Sequence, residues 1–140
     1  MIPFDEINIR LEKLAEYLKL LKEYQGITAE ELIADAKKRG VVERYLQLAA
    51  EVCIDVAEIL ISAKGLRTPE DARDAIDILG QEGIIDDEFA FGFAAIGGFR
   101  NILVHDYLKI NYEIVTDKIN NRLDDFEIFA KQIAGYVKKH

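Results

Sequence analysis

The chain has 140 residues, the usual size of a single globular domain, so we expect one hydrophobic core within residues 1–140. Half of the residues are hydrophobic and 31% are charged, a balance that argues against a disordered chain. Only 2 prolines and 9 glycines interrupt the sequence, which favours long helices over a β-sandwich or barrel. The 18 basic and 26 acidic residues give a net charge of −8. This charge argues against nonspecific coating of a nucleic acid, although a few local cations could still hold one phosphate.

The sequence predicts a cytoplasmic protein without a membrane anchor. Its N-terminus lacks the basic start and apolar stretch of a signal peptide, and no segment approaches the roughly 18 apolar residues of a membrane span. The single cysteine, Cys53, excludes both an internal disulfide and a CxxC metal pair. Because Cys53 lies among apolar residues, we expect it to be buried.

The first half of the chain predicts three helical segments. Apolar residues spaced three and four apart predict a first helix that ends near Gly26. Thr28 and Glu31 form a capping-box pattern, so a second helix begins there. Gly40 is predicted to kink or briefly interrupt that helix. The apolar residues that follow cover more than one face, which is typical of a helix in the middle of a bundle.

The segment after the central helix contains one helix-stop signal and one helix-start signal. Gly65 is predicted to end the central helix. Thr68 and Pro69 then predict the N-cap and the first residue of a helix that runs to about Gln81.

The last third of the chain predicts two further helical regions. One is capped by Asp86 or Asp87 and continues to about residue 107. The other is predicted to break near residues 120–121. No alternating strand pattern is present. The sequence therefore predicts an all-α, up-and-down bundle of five to six helices.

Two adjacent glycines, Gly97 and Gly98, lie inside the helical pattern. Each costs about 1 kcal/mol relative to alanine in a helix, so a compensating gain is expected. Close approach of another backbone is the simplest compensation, and a helix interruption is the alternative. We predict that this pair belongs to a homodimer interface formed by the helix of residues 87–107.

Directly after the glycines, Arg100, Asn101, His105 and Tyr107 form the pattern R-N-x-x-x-H-x-Y. The pattern resembles the HEPN superfamily and, within it, the HepT-like toxins, which carry this motif near the end of a late helix. The order of the helical segments is similar over nearly the whole chain. The resemblance implies a HEPN-like fold and a dimeric, metal-independent ribonuclease toxin of a type VII-like toxin–antitoxin pair, without a cofactor. It also implies a partner, a nucleotidyltransferase antitoxin of the MntA type.

These residue types could cleave RNA through its own 2′-hydroxyl. His105 could accept the hydroxyl proton, and Arg100 could bind two phosphate oxygens and stabilise the charge of the transition state. Asn101, four residues before His105, could hold the imidazole in one tautomer, and the hydroxyl of Tyr107 could donate to the phosphate. Because DNA lacks the 2′-hydroxyl, we expect RNA to be the substrate and DNA to be excluded.

A straight helix cannot aim all of these side chains at one point. At about 100° per residue, Arg100 and Tyr107 share a face, whereas His105 lies roughly 140° from Arg100. Either the helix distorts or ends near His105, or a second subunit completes the site. The family resemblance points to the dimer.

The resemblance further implies that the antitoxin adenylylates Tyr107. A phosphodiester on that oxygen would place negative charge beside Arg100, where the RNA phosphate is expected to bind. Tyr107 is therefore the predicted modification site.

Three other interpretations account for part of the sequence. A non-catalytic HEPN module that binds nucleotides or a partner protein remains open. A di-metal carboxylate enzyme needs Glu-x-x-His on paired helices, and Ile102 stands where the Glu would be required. A purely structural adaptor leaves the glycine pair and the motif unexplained.

Overall fold

The computed structural model describes the whole chain, residues 1–140, as helices and turns without a strand, which confirms the all-α prediction. There are eight α-helices, and one 3₁₀ turn, Tyr107–Lys109, follows the sixth. In chain order the α-helices are α1 (Phe4–Lys22), α2 (Ala29–Ala34), α3 (Ala36–Ala63), α4 (Ala72–Gln81), α5 (Asp87–Phe93), α6 (Ile96–His105), α7 (Tyr112–Asn121) and α8 (Leu123–Lys139). None of them combines the length and the apolar composition needed to cross a membrane.

Helix α3 is the centre of the bundle, as its apolar pattern predicts. It contacts α1, α2, α4, α6 and α8, and its side chains are buried on several faces. Cys53 is fully buried there, and burial raises the pKa of its thiol well above the ordinary value. Every helix contributes to one continuous hydrophobic core around α3.

The interruption predicted at Gly40 is wrong, because α3 passes through this residue and the break lies at Asp35. The Asp35 carboxylate accepts hydrogen bonds from the backbone N–H groups of Lys37 and Lys38, at 3.0 and 3.1 Å. These bonds start α3, and a single helical glycine costs only about 1 kcal/mol, too little to end a well-packed helix. The Thr28 cap of α2 is confirmed by its hydrogen bond from the Glu31 N–H.

The start predicted for α4 is also wrong, since Asp71 rather than Thr68 is the N-cap. The Asp71 side chain accepts a hydrogen bond from the Asp74 N–H at 2.8 Å, and α4 begins at the next residue, Ala72. Asp74 in turn accepts from the Glu70 N–H at 2.9 Å, which holds the preceding residues as a loop. The predicted end of α4 at Gln81 is confirmed.

The helix predicted over residues 87–107 is divided into α5 and α6 at residues 94–95, and it ends at His105. Both parts contact α4. The division falls at Ala94 and Ala95, whose backbone angles stay in the right-handed helical region, so the chain bends there rather than forming a loop. This division, the break at Asp35 and the break after Asn121 raise the number of helices above the five to six predicted.

Gly97 and Gly98 have different surroundings. Gly97 is buried, and a Cβ there would lie 2.6 Å from the backbone N of Arg73 and 2.9 Å from the carbonyl carbon of Ala72. The close backbone approach at Gly97 is therefore made by the first turn of α4 in the same chain, not by a second subunit. Gly98 is exposed with open space around it. Of the two glycines, only Gly98 is therefore available to contact a second subunit.

Candidate functional site

The side chain of Arg100 extends from α6 toward α3 and donates hydrogen bonds to two acceptors. Its Nη1 donates to Oε1 of Glu51 on α3 at 3.1 Å, and its Nε donates to Oδ1 of Asn101 at 2.9 Å. The Arg100 side chain is 21% exposed, and that of Glu51 31%. A half-buried ion pair is screened less by solvent and salt than an exposed one, so this contact restrains the guanidinium.

His105 is the last residue of α6 and is exposed. No side chain or backbone group of the chain hydrogen-bonds to its imidazole, and the predicted contact with Asn101 is absent. The Asn101 oxygen is instead engaged by Arg100. His105 is thus accessible to an external ligand, while Asn101 orients the arginine.

The backbone changes direction directly after His105. Asp106 leaves the helical region, with φ −130° and ψ 46°, and the chain continues into the Tyr107–Lys109 turn. A straight helix could not direct Arg100, His105 and Tyr107 to one point. The end of α6 at His105 removes this restriction for Tyr107, which lies beyond the helix. Tyr107 and Leu108 are 68% and 87% exposed, so the Tyr107 hydroxyl is open to solvent.

The far side of this turn is tied to α3. The Tyr112 hydroxyl, at the start of α7, donates to Oε2 of Glu43 at 2.7 Å. Burial, together with this hydrogen bond, raises the pKa of Tyr112 to about 12, so the phenol stays protonated as a donor. The exposed residues from His105 to Lys109 are consequently held between two anchored helices.

Two carboxylates and two arginines lie close enough on this side of α3 to influence one another electrostatically. Asp55 lies four residues after Glu51 on α3, and loss of solvent raises its pKa, with a further contribution from the Glu51 charge. The positive charges of Arg10 and Arg100 act in the opposite direction. Glu51, Asp55 and Arg10 lie outside the residues that the sequence predicts for the site. Two acidic residues four apart on the otherwise apolar middle of α3 are the signal that could have found the first two.

The structure contains no cluster of three or more His, Cys, Asp or Glu side chains close enough to hold a metal ion. The side chains of α6 can themselves supply a cation, Arg100, and a proton acceptor, His105. Arg100 can bind an anion through its unoccupied N–H groups, and His105 can exchange a proton with a ligand beside it.

The chain matches known proteins along most of its length. A family model described as Ribonuclease HepT-like matches residues 14–133. The mRNA nuclease HepT of Shewanella oneidensis is 30% identical over 128 residues, which cover 90% of this chain and 96% of that protein. The tRNA nuclease HepT of Aphanizomenon flos-aquae is 29% identical over 131 residues, covering 94% and 89%.

Solved structures show the same similarity. A chain of a toxin–antitoxin complex with AMP-PNP aligns with a TM-score of 0.84 and 27% identity, covering 94% of this chain and 98% of that one. A tri-AMPylated Shewanella oneidensis HEPN toxin, in complex with its MNT antitoxin, aligns with a TM-score of 0.82 and 28% identity, covering 92% and 96%.

Proposed function

Because the chain belongs to the ribonuclease HepT-like family, we propose that it is the toxin of a toxin–antitoxin pair and cleaves RNA without a metal ion. The observation that carries the proposal is the arrangement on α6. A restrained arginine with free N–H donors precedes an exposed, unpartnered histidine at the end of the same helix. Since mRNA and tRNA function in the cytoplasm, we expect the protein to act there.

The proposed reaction needs only the RNA and these side chains. His105 accepts the proton of a 2′-hydroxyl, and the oxygen attacks the adjacent phosphorus as the bond to the 5′-oxygen breaks. Arg100 stabilises the negative charge on the phosphoryl oxygens, the leaving 5′-oxygen takes a proton from water, and the His105 imidazolium returns its proton to the solvent. The products are a 2′,3′-cyclic phosphate and a 5′-hydroxyl end.

We propose that a nucleotidyltransferase antitoxin adenylylates Tyr107. The exposure of this residue supports the proposal, because a partner enzyme must reach the phenol oxygen. The modification adds a phosphate and its negative charge close to the end of α6. It would therefore compete with the RNA phosphate for Arg100.

A homodimer is the oligomeric state that we propose. Gly98 and the exposed apolar side chains of Val104 and Leu108 lie on or next to α6, and a second copy would cover them. Light scattering at micromolar concentration is expected to give twice the mass of one chain. The mass of a single chain would contradict the dimer.

The test of the ribonuclease proposal is cleavage of RNA by the purified protein in the presence of EDTA. His105→Ala is expected to lower the rate by about 10² to 10⁴, the usual contribution of a positioned proton acceptor. Arg100→Lys should also be impaired, because an ammonium group cannot reproduce the two-pronged contact of a guanidinium.

Two results would contradict the proposal. Unchanged cleavage by His105→Ala would refute the mechanism, and loss of cleavage in EDTA would refute its metal independence. Binding of RNA by the wild-type protein without any cleavage would instead favour the alternative, a non-catalytic module that partners a nucleotidyltransferase.

A further inference from the structure

The hydrogen bonds of Arg100 divide its guanidinium into an occupied part and a free part. A guanidinium has five N–H donors, of which one on Nε goes to Asn101 and one on Nη1 goes to Glu51. The remaining three, both of those on Nη2 among them, have no acceptor in the chain. A phosphate can therefore bind Arg100 without displacing either acceptor.

The two acceptors restrain Arg100 in different ways. Asn101 is the next residue on α6, so its hydrogen bond moves with that helix and cannot fix the arginine relative to the bundle. Glu51 lies 49 residues earlier on α3, the helix at the centre of the core. Its ion pair is the one hydrogen-bonded link between the Arg100 side chain and another helix.

We infer that Glu51 is a positioning residue that holds Arg100 in the orientation in which its free Nη2 end meets the scissile phosphate. The inference rests on the proposed ribonuclease function and adds to it a residue outside the R-x4-H-x-Y motif. An arginine side chain has several flexible torsions, and without Glu51 only a fraction of its conformations would present the same donors.

The surrounding charges allow Glu51 to stay in place when a phosphate binds. Glu51 and Asp55 carry two negative charges, and Arg10 and Arg100 carry two positive ones. The group is neutral as a whole, so Glu51 can pair with Arg100 without a large local excess of negative charge facing the RNA. A carboxylate that acted as an inhibitory latch would have to occupy the free end of the guanidinium, and here that end has no partner.

The test compares Glu51→Gln with Glu58→Gln, which removes the same charge from an exposed residue of the same helix that forms no ion pair. For a single-site RNA oligonucleotide, Glu51→Gln is expected to lower kcat by about tenfold to a hundredfold with little change in KM, because a misplaced catalytic group affects the transition state most. Glu51→Asp keeps the charge and should recover part of the rate, whereas Glu58→Gln should match the wild type. Equal or higher kcat in Glu51→Gln than in Glu58→Gln would overturn the inference.

A second measurement does not depend on cleavage. In nitrogen-15 NMR spectra without RNA, the Nη groups of a restrained Arg100 should give separate signals. In Glu51→Gln these signals should merge as rotation about the Nε–Cζ bond becomes faster. Identical Arg100 signals in the two proteins would overturn the restraint, even if the wild type proved inactive.

The two proposals fail in different ways. If His105→Ala and Arg100→Lys cleave as fast as the wild type, the ribonuclease proposal fails while the NMR comparison still decides whether Glu51 restrains Arg100. If those variants are inactive but Glu51→Gln keeps full kcat and its melting temperature, only the positioning role of Glu51 fails.

Discussion

The first and last turns of α6 have opposite environments. At the start, Ile96 and Gly97 are buried, and Gly97 lies so close to the first turn of α4 that a Cβ would not fit. At the end, Val104 and His105 are exposed, and the imidazole has no partner. The difference shows how one short helix can be fixed in the bundle at its first turn and leave its last side chains open to solvent.

Arg100 lies between these two environments. One side of its guanidinium is held by Glu51 and Asn101, and the other side is free. Solvent exposure increases from Gly97, which is buried, to Arg100, which is half-buried, and to His105, which is exposed. Three experiments test this comparison, from the largest expected effect to the smallest. They are adenylylation of Tyr107 beyond the exposed end, substitution of Gly97 at the buried end, and protonation of Asp74 on α4.

The largest effect is expected at the exposed end, on adenylylation of Tyr107. After incubation with ATP, magnesium and the nucleotidyltransferase partner, mass spectrometry should find an adenylyl group on Tyr107, and RNA cleavage should fall by about 10² or more as the cation site fills. Tyr107→Phe lacks the acceptor oxygen and should not be modified.

Tyr112→Phe is the matched control for this modification. The Tyr112 hydroxyl is half-buried and donates to Glu43, so removing it should leave the modification of Tyr107 intact. Adenylyl mass on any other residue, or on the Tyr107→Phe protein, would refute Tyr107 as the acceptor.

The next effect is expected at the buried end. In Gly97→Ala the new Cβ would meet backbone atoms of Arg73 and Ala72, which cannot rotate away as a side chain would. We expect a loss of about 1 to 3 kcal/mol in the free energy of unfolding, the usual cost of overpacking. Urea denaturation followed by circular dichroism measures it.

Gly135→Ala on α8 is the control, because its Cβ would meet nothing within 4 Å in the chain and the residue lies outside the helix of the proposed dimer interface. Alanine is a better helix former than glycine, so this variant should gain up to about 1 kcal/mol. If both variants were destabilised equally, the first turn of α6 would not be packed as tightly against α4 as the structure indicates.

The helix ends were predictable where local chemistry decides them. Gly65 and Gly83 end helices with φ of 63° and 70°, a conformation that favours glycine, and Asp86 caps α5 with its own side chain. Gly40 does not interrupt α3, because the packing of this helix outweighs the roughly 1 kcal/mol cost of one helical glycine. The division of α5 from α6 falls at two alanines, which favour helix, so no local pattern predicts it.

The site was predictable only in part, for the same reason. Arg100 and His105 belong to a motif within one short segment, so their place on the same helix follows from the chain itself. Glu51 has no sequence relation to Arg100, and its hydrogen bond to that residue arises from the packing of α3 against α6. The hydrogen bond of Asn101 was assigned to His105 by helical spacing, whereas its oxygen accepts from the adjacent arginine.

The smallest effect is expected from acid at the first turn of α4, the helix on which Gly97 packs. Arg67 donates to both oxygens of Asp74, at 2.7 and 2.9 Å. These bonds, with the one from the Glu70 N–H, lower the pKa of Asp74 to about 2. Since the pKa of an unfolded aspartate is near 3.9, the contribution of Asp74 to stability is present above about pH 4 and is lost as the pH falls to about 2.

Asp74→Asn should therefore be less stable than the wild type near neutral pH, and the difference should shrink as the pH falls from about 4 to about 2. The effect is small because the Arg67 side chain is 51% exposed and solvent screens the pair. Asp77→Asn on the same helix is the control with the opposite sign, because burial raises the pKa of Asp77 and makes its ionisation unfavourable in the folded chain. That variant should be more stable than the wild type at neutral pH and equal to it in acid. Urea denaturation over this pH range would contradict both assignments if the two variants differed from the wild type by the same constant amount throughout.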